Sequence, residues 1–163
     1  MKIAQRIRIY GVVQGVGFRP FVFRSAKRWK LSGWVRNGES GVEIHVEGDV
    51  SAIRQFVQEI TERPPSSAKI TNLEIKDAAI QGASDFEILT STRHDRPTVQ
   101  IPADLAVCSA CLSELFDPVN RRYLYPYINC TDCGPRYTVI ERLPYDRPYT
   151  TMRAWPMCPA CSA

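Results

Sequence analysis

Ile7 and Ile9 alternate with Arg6, Arg8 and Tyr10, the two-residue period of a strand with one buried face. The alternation ends at Gly11-Val-Val-Gln-Gly-Val-Gly17, a loop with three glycines. Phe18, Val22, Ala26 and Trp29 then recur at helical spacing, with Pro20 in the first turn, where its missing N–H costs nothing. Leu31-Ser-Gly33 closes that helix. Trp34-Val-Arg-Asn37 and Val42-Glu-Ile-His-Val46 read as strands joined by the tight Gly38-Glu-Ser-Gly41 loop. In the second strand His45 alternates with Ile44 and Val46, which predicts a solvated face for its ring. Ile53, Phe56, Val57 and Ile60 mark an amphipathic helix that Arg63-Pro-Pro-Ser-Ser67 stops. Leu73 and Ile75 lie in a further strand, and Phe86 and Ile88 in a short last one.

The order β-α-β-β-α-β predicts an α+β, ferredoxin-like sandwich: two helices on one face of an antiparallel sheet. About 90 residues suffice for such a core without help from metal or disulfide. Residues 1–90 are therefore expected to form one domain. The polar, proline-bearing stretch 91–102, with His94 as a solvated residue, reads as a linker. Residues 103–163 are rich in Pro, Tyr, Arg and Cys and hold few aliphatic residues at regular spacing, which predicts a small domain that needs a metal in place of a large core.

Cysteine placement sharpens that expectation. Residues 1–107 contain none, and all six fall in three Cys-x-x-Cys pairs: Cys108 and Cys111, Cys130 and Cys133, Cys158 and Cys161. Eighteen residues separate the first two pairs, the spacing of a four-thiolate zinc site. Four thiolates leave no open position for water, so the expected Zn(2+) is structural. The third pair supplies two ligands and the sequence ends two residues later. It either borrows ligands from elsewhere or has its other half downstream, and the second reading makes this chain the N-terminal part of a longer protein. Asn120-Arg-Arg-Tyr-Leu-Tyr-Pro-Tyr127 could stack on single-stranded nucleic acid, but its tyrosines are read as packing the zinc domain or a neighbour.

Composition adds little: 44% hydrophobic and 23% charged residues with a formal charge of +4 suit a soluble globular protein and leave an anionic ligand open. No apolar run approaches the roughly 20 residues of a membrane span, and the alternating N-terminus lacks the apolar block of a signal peptide, so the cytoplasm is the expected location.

The glycine loop is the candidate for chemistry. A lone glycine loop before a helix is often a plain tight turn, but here free backbone N–H groups, a helix N-terminus and Arg19 converge, the layout of an anion cradle. No Lys-Ser/Thr follows the glycines, which excludes a nucleotide P-loop. Asn37, at the end of a strand, is the second candidate.

Gly11-x-Val-Gln-Gly-Val-x-Phe-Arg19, followed by Gly33-Trp-Val-Arg-Asn37-x-x-x-Gly41, resembles the paired signature of acylphosphatases; after Gly41 the family usually reads Gly-x-Val, where this chain has Val42-Glu43. The resemblance implies hydrolysis of a carboxyl–phosphate anhydride. Backbone N–H groups of Gln14, Gly15, Val16, Gly17 and Phe18, with Arg19, would hold the phosphoryl oxygens, and Asn37 would position the attacking water. With Phe18-Arg-Pro-Phe21, Pro102-Ala-Asp-Leu-Ala-Val-Cys108 and Asn129-Cys-Thr-Asp-Cys-Gly-Pro-Arg-Tyr137, the chain as a whole resembles the N-terminal part of the HypF carbamoyltransferases of nickel–iron hydrogenase maturation. That resemblance implies carbamoyl phosphate as substrate, further domains that adenylate carbamate, and HypE as the partner that receives the carbamoyl group. It leaves membranes out and makes nucleic acid an unlikely partner. The competing expectation is a non-catalytic zinc-bearing module for protein or RNA.

Overall fold

Alternation and helical spacing become a layered sheet-and-helix unit. The computed structural model describes residues 1–38, 40–91, 101–156 and 158–159. The elements run β1 (Lys2–Val12), α1 (Phe18–Arg28), β2 (Ser32–Asn37), β3 (Gly41–Asp49), α2 (Val50–Glu62), β4 (Lys69–Ala78), β5 (Phe86–Ile88) and α3 (Ser109–Phe116). The strand order is β4-β1-β3-β2-β5. β1 pairs antiparallel with β3 and β4, and β3 pairs antiparallel with β2. β5, the short last strand expected from Phe86 and Ile88, runs parallel to β2, so the sheet is mixed where an antiparallel one was expected.

The register follows from the apolar pattern. Ile7 lies opposite Ile44 and Ile9 opposite Val42, which puts these side chains on one face. That face buries Ile7, Ile9, Val35, Ile44 and Val46 against Phe18, Val22 and Ala26 of α1 and Ile53, Phe56 and Ile60 of α2.

The other face departs from the sequence expectation at His45. Its ring is fully buried, where alternation predicted a solvated one. It stacks on Trp34 at 6.0 Å, and its Nε2–H donates to Glu47 Oε1 at 2.8 Å. The same carboxylate accepts the backbone N–H groups of Gln81 and Gly82 at 2.6 and 3.2 Å, so the segment after β4 folds back over this part of the sheet. Period-two alternation tells which residues share a face, not whether a later segment covers it.

Beyond the sheet, residues 101–156 form α3, three short 3₁₀ turns and irregular chain. Their own buried apolar cluster is small: Cys111, Ile128 and Cys133. Tyr123, Tyr125 and Tyr127 are exposed, so of the two expected roles, packing this region or packing a neighbour, the first is not met. Most of the 91–102 stretch, His94 included, lies outside the described residues, as does Cys161.

Candidate active site and metal centre

The loop between β1 and α1 is shaped by two glycines in the left-handed region, Gly15 at φ 72° and Gly17 at φ 71°. Gly17 caps α1, and Val13, Val16 and Phe18 anchor the loop in the core. With the side chains pulled inward, the backbone is what the loop presents. None of the N–H groups of Gln14 to Phe18 donates to another described residue. They lie at the positive end of α1, an arrangement suited to an anion.

Gln14 ties this loop to the β2–β3 hairpin. Its buried side-chain amide donates to the carbonyls of Gly38 at 2.9 Å and Gly41 at 2.8 Å. That link brings the end of β2 beside the cradle. Arg19 and Asn37 meet at one atom: Arg19 Nη2 and Asn37 Nδ2 each donate to the main-chain carbonyl of Tyr145 at 3.3 Å. Asn37 is buried, and its Oδ1 has no hydrogen-bond partner among the described residues. The structure thus gathers Gln14, Gly15, Val16, Gly17, Phe18, Arg19 and Asn37 around one spot.

The cysteine-bearing half closes over that spot. Arg136, itself buried, donates through Nε to the Gly15 carbonyl at 3.0 Å, and its other nitrogens donate to Gly134 O at 2.7 Å and Thr131 O at 2.6 Å. The Tyr145 ring lies 3.3 Å from where a side chain on Gly15 would start, and Thr131 lies 2.8 Å from the same point on Gly17. The Tyr145 N–H donates to Gln14 Oε1 at 3.3 Å. Asp146 pairs with Arg19 at 2.7 Å. Sequence reading missed Thr131, Arg136, Tyr145 and Asp146. They sit in segments without periodicity; Thr131 and Arg136 fall inside the Asn129–Tyr137 motif, which gave them no part in this site.

Four cysteines form the second site. Cys108, Cys111, Cys130 and Cys133 come from the start of α3 and from the Cys130–Cys133 turn, and their sulfur atoms all lie within 4.8 Å of one another. The Sγ separations are 3.8 Å for Cys108 and Cys130, 3.8 Å for Cys130 and Cys133, and 3.6 Å for Cys111 and Cys133. A tetrahedral ion with metal–sulfur bonds of about 2.3 Å sets its sulfurs about 3.8 Å apart, so the cluster fits such an ion. Burial pushes the Cys111 thiol up. Burial also raises Cys133, but neighbouring backbone and thiol donors outweigh it and bring that thiol down to about 7. Cys158 is exposed and is not a member of this cluster. No helix among the described residues is long and apolar enough to cross a membrane.

Comparison with known proteins gives two family matches. Residues 5–88 match the acylphosphatase family and residues 107–140 match the HypF finger. The acylphosphatase of Thermotoga petrophila is 44% identical over 86 residues, covering 52% of this chain and 94% of that protein. Carbamoyltransferase HypF2 of Cupriavidus necator is 49% identical over 155 residues, covering 94% of this chain and 19% of that protein. A crystal structure of full-length HypF in its phosphate- and nucleotide-bound form superposes with a TM-score of 0.94 at 45% identity, over 99% of this chain and 21% of that one. The chain spans about a fifth of the length of the curated carbamoyltransferases it matches.

Proposed function

The chain belongs to the acylphosphatase family and carries a HypF finger behind that domain, and on this premise we propose that it cleaves carbamoyl phosphate to carbamate and phosphate. One observation carries the reading. Backbone N–H groups of Gln14 to Phe18 that donate to no described residue share a site with Arg19 and with a buried Asn37 oxygen that has no partner among the described residues. The N–H groups and the guanidinium hold the phosphoryl oxygens. Asn37 Oδ1 accepts a hydrogen bond from the attacking water and so aims its lone pair at phosphorus. The new bond forms between water oxygen and phosphorus. The bridging P–O bond breaks, its electron pair stays on carbamate, and the water proton leaves to a phosphoryl oxygen.

Such a substrate already has a good leaving group, so positioning and charge stabilisation supply the catalysis. The carbamoyl group is favoured over other acyl groups because the relatives that span nearly all of this chain are named carbamoyltransferases. In chains of their length the carbamate would go on to adenylation and to transfer onto HypE. The four-cysteine ion is read as structural zinc. Its thiolates require a reducing compartment, which is consistent with the cytoplasm.

Phosphate release from carbamoyl phosphate and acetyl phosphate, measured side by side, tests this. Release from carbamoyl phosphate is expected, and Arg19→Ala should abolish it; unchanged turnover in the variant would remove Arg19 from the site. A second reading, a non-catalytic module for protein or RNA, draws on the exposed Tyr123, Tyr125 and Tyr127. A tight, salt-dependent RNA complex without phosphate release would favour it.

A further inference from the structure

Arg19 is a long side chain on the first turn of a helix, and no described residue of the acylphosphatase-like half holds its far end; Ser91, just beyond that half, has its Oγ 3.5 Å from Nη1. Its close partners come from the other half of the chain. Asp146 Oδ1 lies 2.7 Å from Nη2, and the second carboxylate oxygen accepts the Ser91 hydroxyl at 2.5 Å. The neighbouring Tyr145 carbonyl accepts a hydrogen bond from both Arg19 and Asn37. The ion pair is largely shielded, with side-chain exposures of 22% for Arg19 and 17% for Asp146, so water screens it weakly.

We propose that Asp146, braced by Ser91, is a positioning residue that holds the Arg19 guanidinium in its anion-binding orientation, so that the acyl phosphate site is built from both halves of the chain. This rests on the reading that Arg19 binds the phosphoryl group. The competing idea is a plug, with the carboxylate standing in the place of phosphate. The geometry points away from it. A plug would sit on the cradle, yet the N–H groups of Gln14 to Phe18 donate to no described residue. Asp146 instead takes a terminal nitrogen of Arg19, and the Nε–H of Arg19, which donates to no described residue, remains for an anion. Tyr145 N–H, the nearest donor of the same segment, is spent on the Gln14 side chain. A guanidinium fixed along one side keeps its remaining donors aimed, which matters because misplacing a clamp by about 1 Å costs on the order of 100-fold in rate.

The test uses the whole chain and two measurements, calorimetric binding of inorganic phosphate and phosphate release from carbamoyl phosphate. The proteins are the wild type, Arg19→Ala, Asp146→Ala, Asp146→Asn, Asp146→Glu and the Arg19→Ala/Asp146→Ala double variant. Asp146→Ala should weaken phosphate binding about tenfold and lower kcat/KM about 100-fold, with Asp146→Asn intermediate and Asp146→Glu partly restored. In the Arg19→Ala background, removing Asp146 should change phosphate binding no further, because a residue that acts through Arg19 has nothing left to act on. An equal loss in both backgrounds makes Asp146 merely structural and overturns the proposal. Tighter phosphate binding by Asp146→Ala makes the segment a plug and overturns it too. If the wild type binds phosphate through Arg19 with the expected cycle yet releases none from carbamoyl phosphate, the hydrolytic reading fails and the positioning role stands.

Discussion

Residues 2–89 and residues 101–159 are held together by different physics. The first region buries sixteen apolar side chains in one core, from Ile7 to Phe86. The second has a cluster of three, two of them cysteines. What the second region lacks in apolar burial is supplied by a thiolate cluster and by its contact with the first region. Ser67 Oγ donates to Asp132 O at 3.0 Å, and Arg136 reaches the Gly15 carbonyl. The difference teaches where each half is vulnerable. The sheet unit fails when its packing is opened. The cysteine unit fails when its four-cysteine cluster or its docking is lost, and the site between them suffers in either case.

Removing the ion is the largest lever on this difference. A structural thiolate site contributes about 10 kcal/mol or more to the folding of its domain. Chelation, or Cys111→Ser with Cys133→Ser, should release amide protection across residues 101–159 and leave β1, β3 and α1 protected, as read by hydrogen exchange. Uniform loss across the chain would mean that the two regions are one cooperative unit. Next in size is the sheet core. Phe56 is fully buried against Phe86 at 6.4 Å, and Phe56→Ala should cost about 3–5 kcal/mol in denaturant titration while the metal content per folded chain is unchanged.

Docking comes third. Arg136→Ala leaves the carbonyls of Gly15 and Thr131 without their donor, while Gly134 keeps the Leu105 N–H, at a cost of about 2 kcal/mol, and should expose the cysteine region to protease before the sheet. Simultaneous cleavage of both regions would show that Arg136 does not bolt them together. Acid gives the smallest effect. Burial raises the Glu47 carboxyl, but the His45 ring and the N–H groups of Gln81 and Gly82 outweigh it and hold it below its ordinary value of 4.5. A depressed carboxyl stabilises the fold above its unfolded value, and the contribution is lost as pH falls through the folded one. Melting temperature should therefore decline below about pH 4.5, and Glu47→Gln should flatten that decline. An unaltered slope in the variant would assign acid sensitivity to other carboxylates.

Legibility in the sequence follows the same divide. Ile7, Ile9, Phe18, Val22, Ile53 and Phe56 announce their elements because burial on one face imposes a period on the chain. Gly15 and Gly17 were legible as a tight turn because a positive φ leaves few residue choices, and Arg19 and Asn37, singled out beside them, meet at one carbonyl. The clustering of Cys108, Cys111, Cys130 and Cys133 was legible because a tetrahedral site favours that spacing, whereas Cys158 stays outside the cluster. His45 was misread because its cover comes from Gln81 and Gly82, more than thirty residues downstream. Asp146 and Tyr145 were invisible for the same reason at greater range. Their contacts with Arg19, Asn37 and Gln14 span over 100 residues and impose no period on either segment.

That range also sets an order in time. The Arg19 to Tyr145 contact spans 126 residues. The sheet, from β1 to β5, is made before Asp146 leaves the ribosome, and at roughly 5–20 residues per second the interval lasts on the order of several seconds. During it, a nascent chain carries the glycine cradle and Arg19 without the carboxylate that faces the arginine. The contact can close only once both regions have been synthesised, so it dates the molecule as finished.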